Sequence, residues 1–157
     1  MTKKIFIYAS VILIPLLIVA FTFKDNVYNK ADNSVVETEV GIQFLEPSWS
    51  KVLDEAKKQN KLIFLDAYTT WCGPCKMLKN KTFKDEKAGK FFNANFINVA
   101  FDMEKGDGLK LAEKYNVNSY PTLLILDKTG KVVTYTIGFI NPKELIRFGE
   151  LGLSKKK

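Results

Sequence analysis

Histidine is missing from all 157 residues of the chain. Its absence removes Ser-His-Asp and Cys-His hydrolases, histidine-ligated zinc and imidazole acid–base chemistry together. Cysteine is nearly as scarce. Cys72 and Cys75 are the whole complement, too few to staple a small secreted fold. Tetrahedral zinc takes four ligands, and two thiols without imidazole do not make a conventional set, so no metal is expected. A basic groove is lacking as well. Twenty-four Lys and Arg stand against seventeen Asp and Glu, but five of the basic residues are Lys3, Lys4, Lys155, Lys156 and Lys157 at the two ends. The remainder is close to neutral, and nucleic acid is not an expected partner. What is present is ordinary for a globular chain: 46% hydrophobic and 26% charged residues, in a length that suits one domain with an appendage.

The appendage is at the start. Nineteen positions from Ile5 to Phe23 carry no formal charge, with Lys3 and Lys4 before them and Lys24 after. No polar face recurs at helical spacing, so this is not the pattern of a core helix. Lysines ahead of the run stay cytoplasmic, which sends the rest of the chain outward. Two readings stand. The run nearly reaches the length of a membrane span, and Pro15 is tolerated in one. Alternatively it is a signal peptide cut after Ala20, although Ile18 stands where a small residue is usual. Residues 24–40 are polar and without apolar periodicity, a linker. Residues 154–157 read as a solvated basic tail.

Residues 41–153 alternate in a regular way. Ile42–Leu45 is expected as a short first strand, and a helix opens at Pro47-Ser48 with Trp49, Val52, Leu53 and Ala56 on one stripe. LIFLDA (62–67) is an apolar run interrupted by one acid, the pattern of a strand buried on both faces. A helix starts at or just after Cys72, with a second helical stretch near Asp85–Asn93. FINVAF (96–101) is a strand, and Gly106–Tyr115 a helix. TLLIL (122–126) and VVTYTI (132–137) form a hairpin through Asp127-Lys128-Thr129-Gly130. Asn141-Pro142 caps a final helix carrying Leu145, Ile146, Phe148 and Leu151. Alternation followed by a hairpin makes an α/β domain: a mixed sheet with helices on both faces.

Cys72 and Cys75 sit where a strand passes into a helix, and their spacing lets them close a disulfide within one helical turn. Unpartnered N–H groups at the helix start favour a thiolate on the first cysteine, lowering its pKa below the free value of about 8.5. Cys72 can then attack a disulfide in another protein, and Cys75, one turn further in, can attack the mixed disulfide that results. Pro74 suits a first helical turn, where its missing N–H has no partner to lose, and Gly73 precedes it without a Cβ.

Trp71-Cys72-Gly73-Pro74-Cys75 resembles the thioredoxin active-site motif residue for residue, in the element order of the thioredoxin fold. Asp66, six residues before Cys72, matches the buried acid of that family. Tyr120-Pro121-Thr122 matches its cis-proline loop, and Gly138, late in the last strand, a glycine beside the substrate groove. The resemblance implies a catalytic set of Cys72, Cys75 and Asp66, and substrate contacts at Trp71, Gly73, Pro74, Tyr120, Pro121 and Gly138. Tyr68 is open between core aromatic and substrate contact. Two departures stand out: Asn98 falls where thioredoxins place a lysine beside the buried acid, and Asn80 where they kink the helix with proline. Residues 79–93 are more similar to exported or membrane-linked thioredoxin-like domains, including the terminal domain of transmembrane disulfide reductases. Lys76, Lys79, Lys84, Lys87 and Lys90 read as a solvated helix face, with docking of an acidic partner as the alternative.

The expected function is therefore thiol–disulfide exchange without a bound cofactor. The expected substrates are disulfide-containing exported proteins, with a membrane-embedded electron donor. The expected place is the outer face of the plasma membrane, held by residues 5–23, or the periplasm or exterior if that segment is cut. Two rivals remain: an exported disulfide oxidase or isomerase using the same cysteines, and a redox-inactive tethered binding or chaperone module.

Overall fold

The structure, a computed structural model, describes residues 40–156 apart from Pro47. The expected anchor or signal at 5–23 and the linker up to residue 39 lie outside the described residues, as does Lys157 at the tip of the tail. Among the described residues no helix is long and apolar enough to cross a membrane.

The elements run α1 (Trp49–Gln59), β1 (Leu62–Tyr68), α2 (Gly73–Met77), a π-helical turn (Leu78–Thr82), α3 (Glu86–Asn95), β2 (Phe96–Asp102), α4 (Asp107–Lys114), β3 (Thr122–Leu126), β4 (Val132–Ile137) and α5 (Pro142–Ser154). The sheet order is β2-β1-β3-β4; β1 runs parallel to β2 and antiparallel to β3, which is antiparallel to β4. β1 is central, which is why its sequence is nearly all apolar rather than alternating: six of its seven residues are buried. Successive side chains serve opposite layers. Ile63, Leu65 and Ala67 pack with Val52, Ala56, Val99, Leu111 and Leu124. Leu62 and Phe64 pack on the other side with Leu78, Phe92, Leu123, Ile125 and Leu145. Asp66 shares the phase of Leu62 and Phe64, so the one acid of the strand faces the layer of α2, α3 and α5.

Local signals set the boundaries. Asn60 ends α1 in the left-handed region at φ 51°. Asp127 Oδ1 accepts from Thr129 N and Lys131 N to shape the hairpin, whose Gly130 takes φ 82°. Asn141 and Glu144 form a reciprocal capping box on α5.

The expected strand at Ile42–Leu45 is not formed; the segment contributes a single bridge, Leu45 to Val99. Its N–H groups are used elsewhere: Ile42 N donates to Phe83 O at 2.7 Å and Gln43 N to Asn93 Oδ1 at 2.9 Å. A ladder with β2 has no donors left at those positions. Gly41, at φ 107°, fits against the turn after the π-helix, and Gly89 of α3 is packed directly on Gly41. A Cβ on Gly89 would stand 2.4 Å from the Gly41 carbonyl, a backbone atom that cannot step aside. Gly89→Ala is expected to lower stability by about 1–3 kcal/mol, the usual cost of overpacking, and to loosen residues 41–46. Denaturant unfolding measures the first, and hydrogen exchange at the Ile42 amide the second. An unchanged unfolding midpoint would mean the segment is not anchored here.

Candidate active site

β1 ends at Tyr68, and the chain turns through Thr69, Thr70 and Trp71 into α2. Cys72 is the residue ahead of the first helical turn, with extended backbone (φ −69°, ψ 112°). Its N–H donates to Thr69 O, and its Sγ accepts from Cys75 N at 3.1 Å. Gly73 opens α2 and Pro74 follows it in the first turn, as their lack of Cβ and N–H respectively allows. Cys72 and Cys75 are joined by a disulfide, S–S 2.02 Å, and both are buried. A sulfur held at a helix start receives backbone N–H groups, the environment that stabilises a thiolate once the bond is reduced.

The rim is aromatic. Trp71 is 63% exposed, donates from Nε1 to Glu104 Oε1 at 2.9 Å, and meets Tyr120 edge-on with ring centroids 5.9 Å apart. The Tyr120–Pro121 peptide is cis. Register places this loop beside the dithiol loop, because Thr122 at the start of β3 pairs with Ala67 near the end of β1. Gly138 lies just past β4 rather than inside it, at φ 93°, and its N–H donates to Pro121 O at 2.8 Å. Trp71, Tyr120, Pro121 and Gly138, distant in sequence, thus gather at one end of the sheet.

Beside the disulfide lies an open cavity of about 580 Å³ lined by Asp66, Tyr68, Cys75, Lys76, Lys79 and Phe83, with residues of the 40–46 segment along one side. Asp66 is 5% exposed, and its Oδ1 has no hydrogen-bond partner. Burial pushes its carboxyl up to about 7, against a partial opposing pull from the Lys79 ammonium. Tyr68 is also a cavity wall, its phenol raised chiefly by burial. Asn98 stands on β2 opposite Phe64, two positions from Ala100, which pairs with Asp66. The amide of Asn98 donates to Asn93 Oδ1 at 3.0 Å and makes no hydrogen bond to the acid. The cation near Asp66 comes instead from the helix side. Lys79 is exposed, as expected for a solvated face, and it also lines this cavity, at i, i+4 spacing from Cys75. A second cavity, about 280 Å³ near Asn60 and Asp127, lies at the far end of β1 and holds no thiol.

The sequence profile of the thioredoxin-like domain matches residues 49–151. The chain belongs to the thioredoxin-like family. Thioredoxin-1 of Saccharomyces cerevisiae is 40% identical over 85 residues, covering 54% of this chain and 76% of that protein. The solution structure of a proposed disulphide-isomerase from Bacteroides thetaiotaomicron superposes with a TM-score of 0.66 at 43% identity, covering 74% of this chain and 97% of that one. The thiol:disulfide interchange protein DsbD of Yersinia pestis is 28% identical over 141 residues, 87% of this chain but only 23% of that protein. The fold is the thioredoxin fold: a mixed four-stranded sheet flanked by helices. With its paired cysteines, this thioredoxin-like chain is a thiol–disulfide oxidoreductase.

Proposed function

We propose that the protein reduces disulfides in exported proteins, with Cys72 as nucleophile, Cys75 as resolving thiol and Asp66 as proton acceptor. The observation that carries this reading is the shared cavity in which a buried, unpartnered acid and the inner cysteine both stand. In the reduced enzyme the Cys72 thiolate attacks a substrate disulfide, forming a mixed disulfide and releasing the first substrate thiolate. Asp66 takes the Cys75 proton. The Cys75 thiolate then attacks Cys72 Sγ, the bond from Cys72 to substrate breaks, and the second substrate sulfur leaves with the electron pair and takes a proton from water. Two electrons pass from the dithiol to the substrate. Trp71, Gly73, Pro74, Tyr120, Pro121 and Gly138 form the surface against which the substrate chain lies.

The exported setting is supported by the charge-free run at 5–23 with lysines ahead of it. The match to DsbD supports it too, since it covers more of the chain than residues 40–157 supply and therefore reaches into the earlier segment. Oxidants outside the cytoplasm keep thiols paired, so a reductase there takes its electrons from a donor in the membrane. The similarity to a proposed disulphide-isomerase favours one second reading, isomerisation by the same cysteines.

The reduction potential of the Cys72–Cys75 pair, measured against glutathione or thioredoxin, separates them. A value near about −270 mV is the expected result for a reductase; about −180 mV assigns an isomerase, and about −120 mV an oxidant.

A further inference from the structure

The cavity beside the disulfide carries a second inference, which rests on the role just given to Asp66. Asp66 enters it from β1, with an oxygen that no donor among the described residues reaches. Tyr68 lines the cavity from β1, Lys76 from α2, Lys79 from the π-helical turn, Lys84 from the turn after it, and Glu46 from the segment along one side. β2 offers the uncharged Ala100, with Asn98 engaged by Asn93; β3 offers Leu123 opposite Asp66. Three lysines therefore stand around the cavity, yet Lys79 alone of them exerts a resolved pull on Asp66. Lys79 is also one helical turn beyond Cys75, so a single lysine lies within the field of both the acid and the thiol it serves.

We propose that Lys79 is a positioning residue for the exchange reaction: from the wall of the cavity its ammonium keeps Asp66 in the carboxylate form that accepts the Cys75 proton. The cation has no hydrogen bond to the acid and takes no part in the bonds made or broken. It acts through the field from the rim of a pocket that it shares with Asp66 and Cys75, while the carboxyl itself is buried. Because the lysine itself is exposed, replacing it leaves the core intact.

The test uses the full-length chain, reduced and mixed with a symmetrical aromatic disulfide in a stopped-flow instrument. Release of the second aromatic thiol reports attack by Cys75. In the wild type this rate rises with a midpoint near that of Asp66. In Lys79→Gln the midpoint is expected to move up by about 1 pH unit, the low end of the range for a nearby opposite charge, with the rate below the midpoint falling about tenfold. Lys79→Arg restores the wild-type profile. The double variant Asp66→Asn/Lys79→Gln superposes on Asp66→Asn alone, because the lysine then has no acid to act on. An unmoved midpoint in Lys79→Gln, or a further shift in the double variant, overturns the assignment while leaving Asp66 as proton acceptor. A wild-type profile in Asp66→Asn overturns the role of Asp66 itself.

Discussion

Cys72→Ser is expected to eliminate disulfide exchange, lowering turnover of a disulfide substrate by at least about a thousandfold, whereas Cys75→Ser should stop the reaction half-way. The difference follows from where the two sulfurs stand. Cys72 precedes α2 with its Sγ taking the Cys75 N–H, so it is the sulfur that backbone dipoles favour as an anion. Cys75 lies inside the first turn, lining the cavity of Asp66. Without Cys72 no mixed disulfide forms. Without Cys75 the substrate remains bound to Cys72, and intact-mass spectrometry should find an adduct of one substrate half at that residue. In cells the Cys75→Ser adducts identify the substrates directly. A Cys72→Ser variant that still supported the cellular role would return the protein to the class of tethered binding modules, since such a module needs no sulfur.

Most of the fold could be read before the structure because it is written in local periodicity. LIFLDA and TLLIL are almost wholly apolar since β1 and β3 occupy the middle of the sheet, and Cys72 and Asn141 cap the helices that follow the turn at 69–71 and the end of β4. The segment at Ile42–Leu45 misled for a physical reason. Its alternation is strand-like, but its amides are taken by Phe83 and Asn93, partners some forty and fifty residues away that no local pattern announces. The missing proline at Asn80 resolved in a similar way: the helix is interrupted there without one, by a π-helical turn over Leu78–Thr82 in which Leu78 and Thr82 stay buried.

The site divides along the same line. The dithiol, the acid and the proline loop are carried by short motifs, and their assembly follows from the pairing of β1 with β3. The surroundings of the acid are not motif-borne. Asn98 was legible as the residue in place of a lysine, yet its amide is spent on Asn93, and the charge that reaches Asp66 comes from Lys79 on another element. Sequence position tells which residue is exchanged; it does not tell which neighbour inherits the electrostatic task.

The acid that serves the reaction should cost the fold, and the cost should depend on pH. Asp66 titrates at 3.8 when solvated and at about 7 in the folded protein, with burial as the main cause. Below about pH 4 both states hold the proton and the residue is neutral towards stability. Between about 4 and 7 the unfolded chain releases its proton while the folded one retains it, so the folded state binds more protons and stability falls as pH rises. Above about 7 the loss is complete. Three pH units at about 1.4 kcal/mol each make it about 4 kcal/mol, a large share of the 5–15 kcal/mol typical of a domain. Asp66→Asn removes the titration and nothing of the side-chain volume. Denaturant unfolding of the oxidised full-length chain at pH 5 and pH 8 should therefore show the variant gaining on the wild type by a few kcal/mol between the two conditions, while it loses rate in the resolution step. The comparison across pH matters more than either value alone, because the buried amide carries its own unpaired groups at both. If the variant and the wild type keep the same separation at pH 5 and pH 8, the carboxyl has an ordinary low pKa in the fold, and it is too weak a base to take the proton of Cys75.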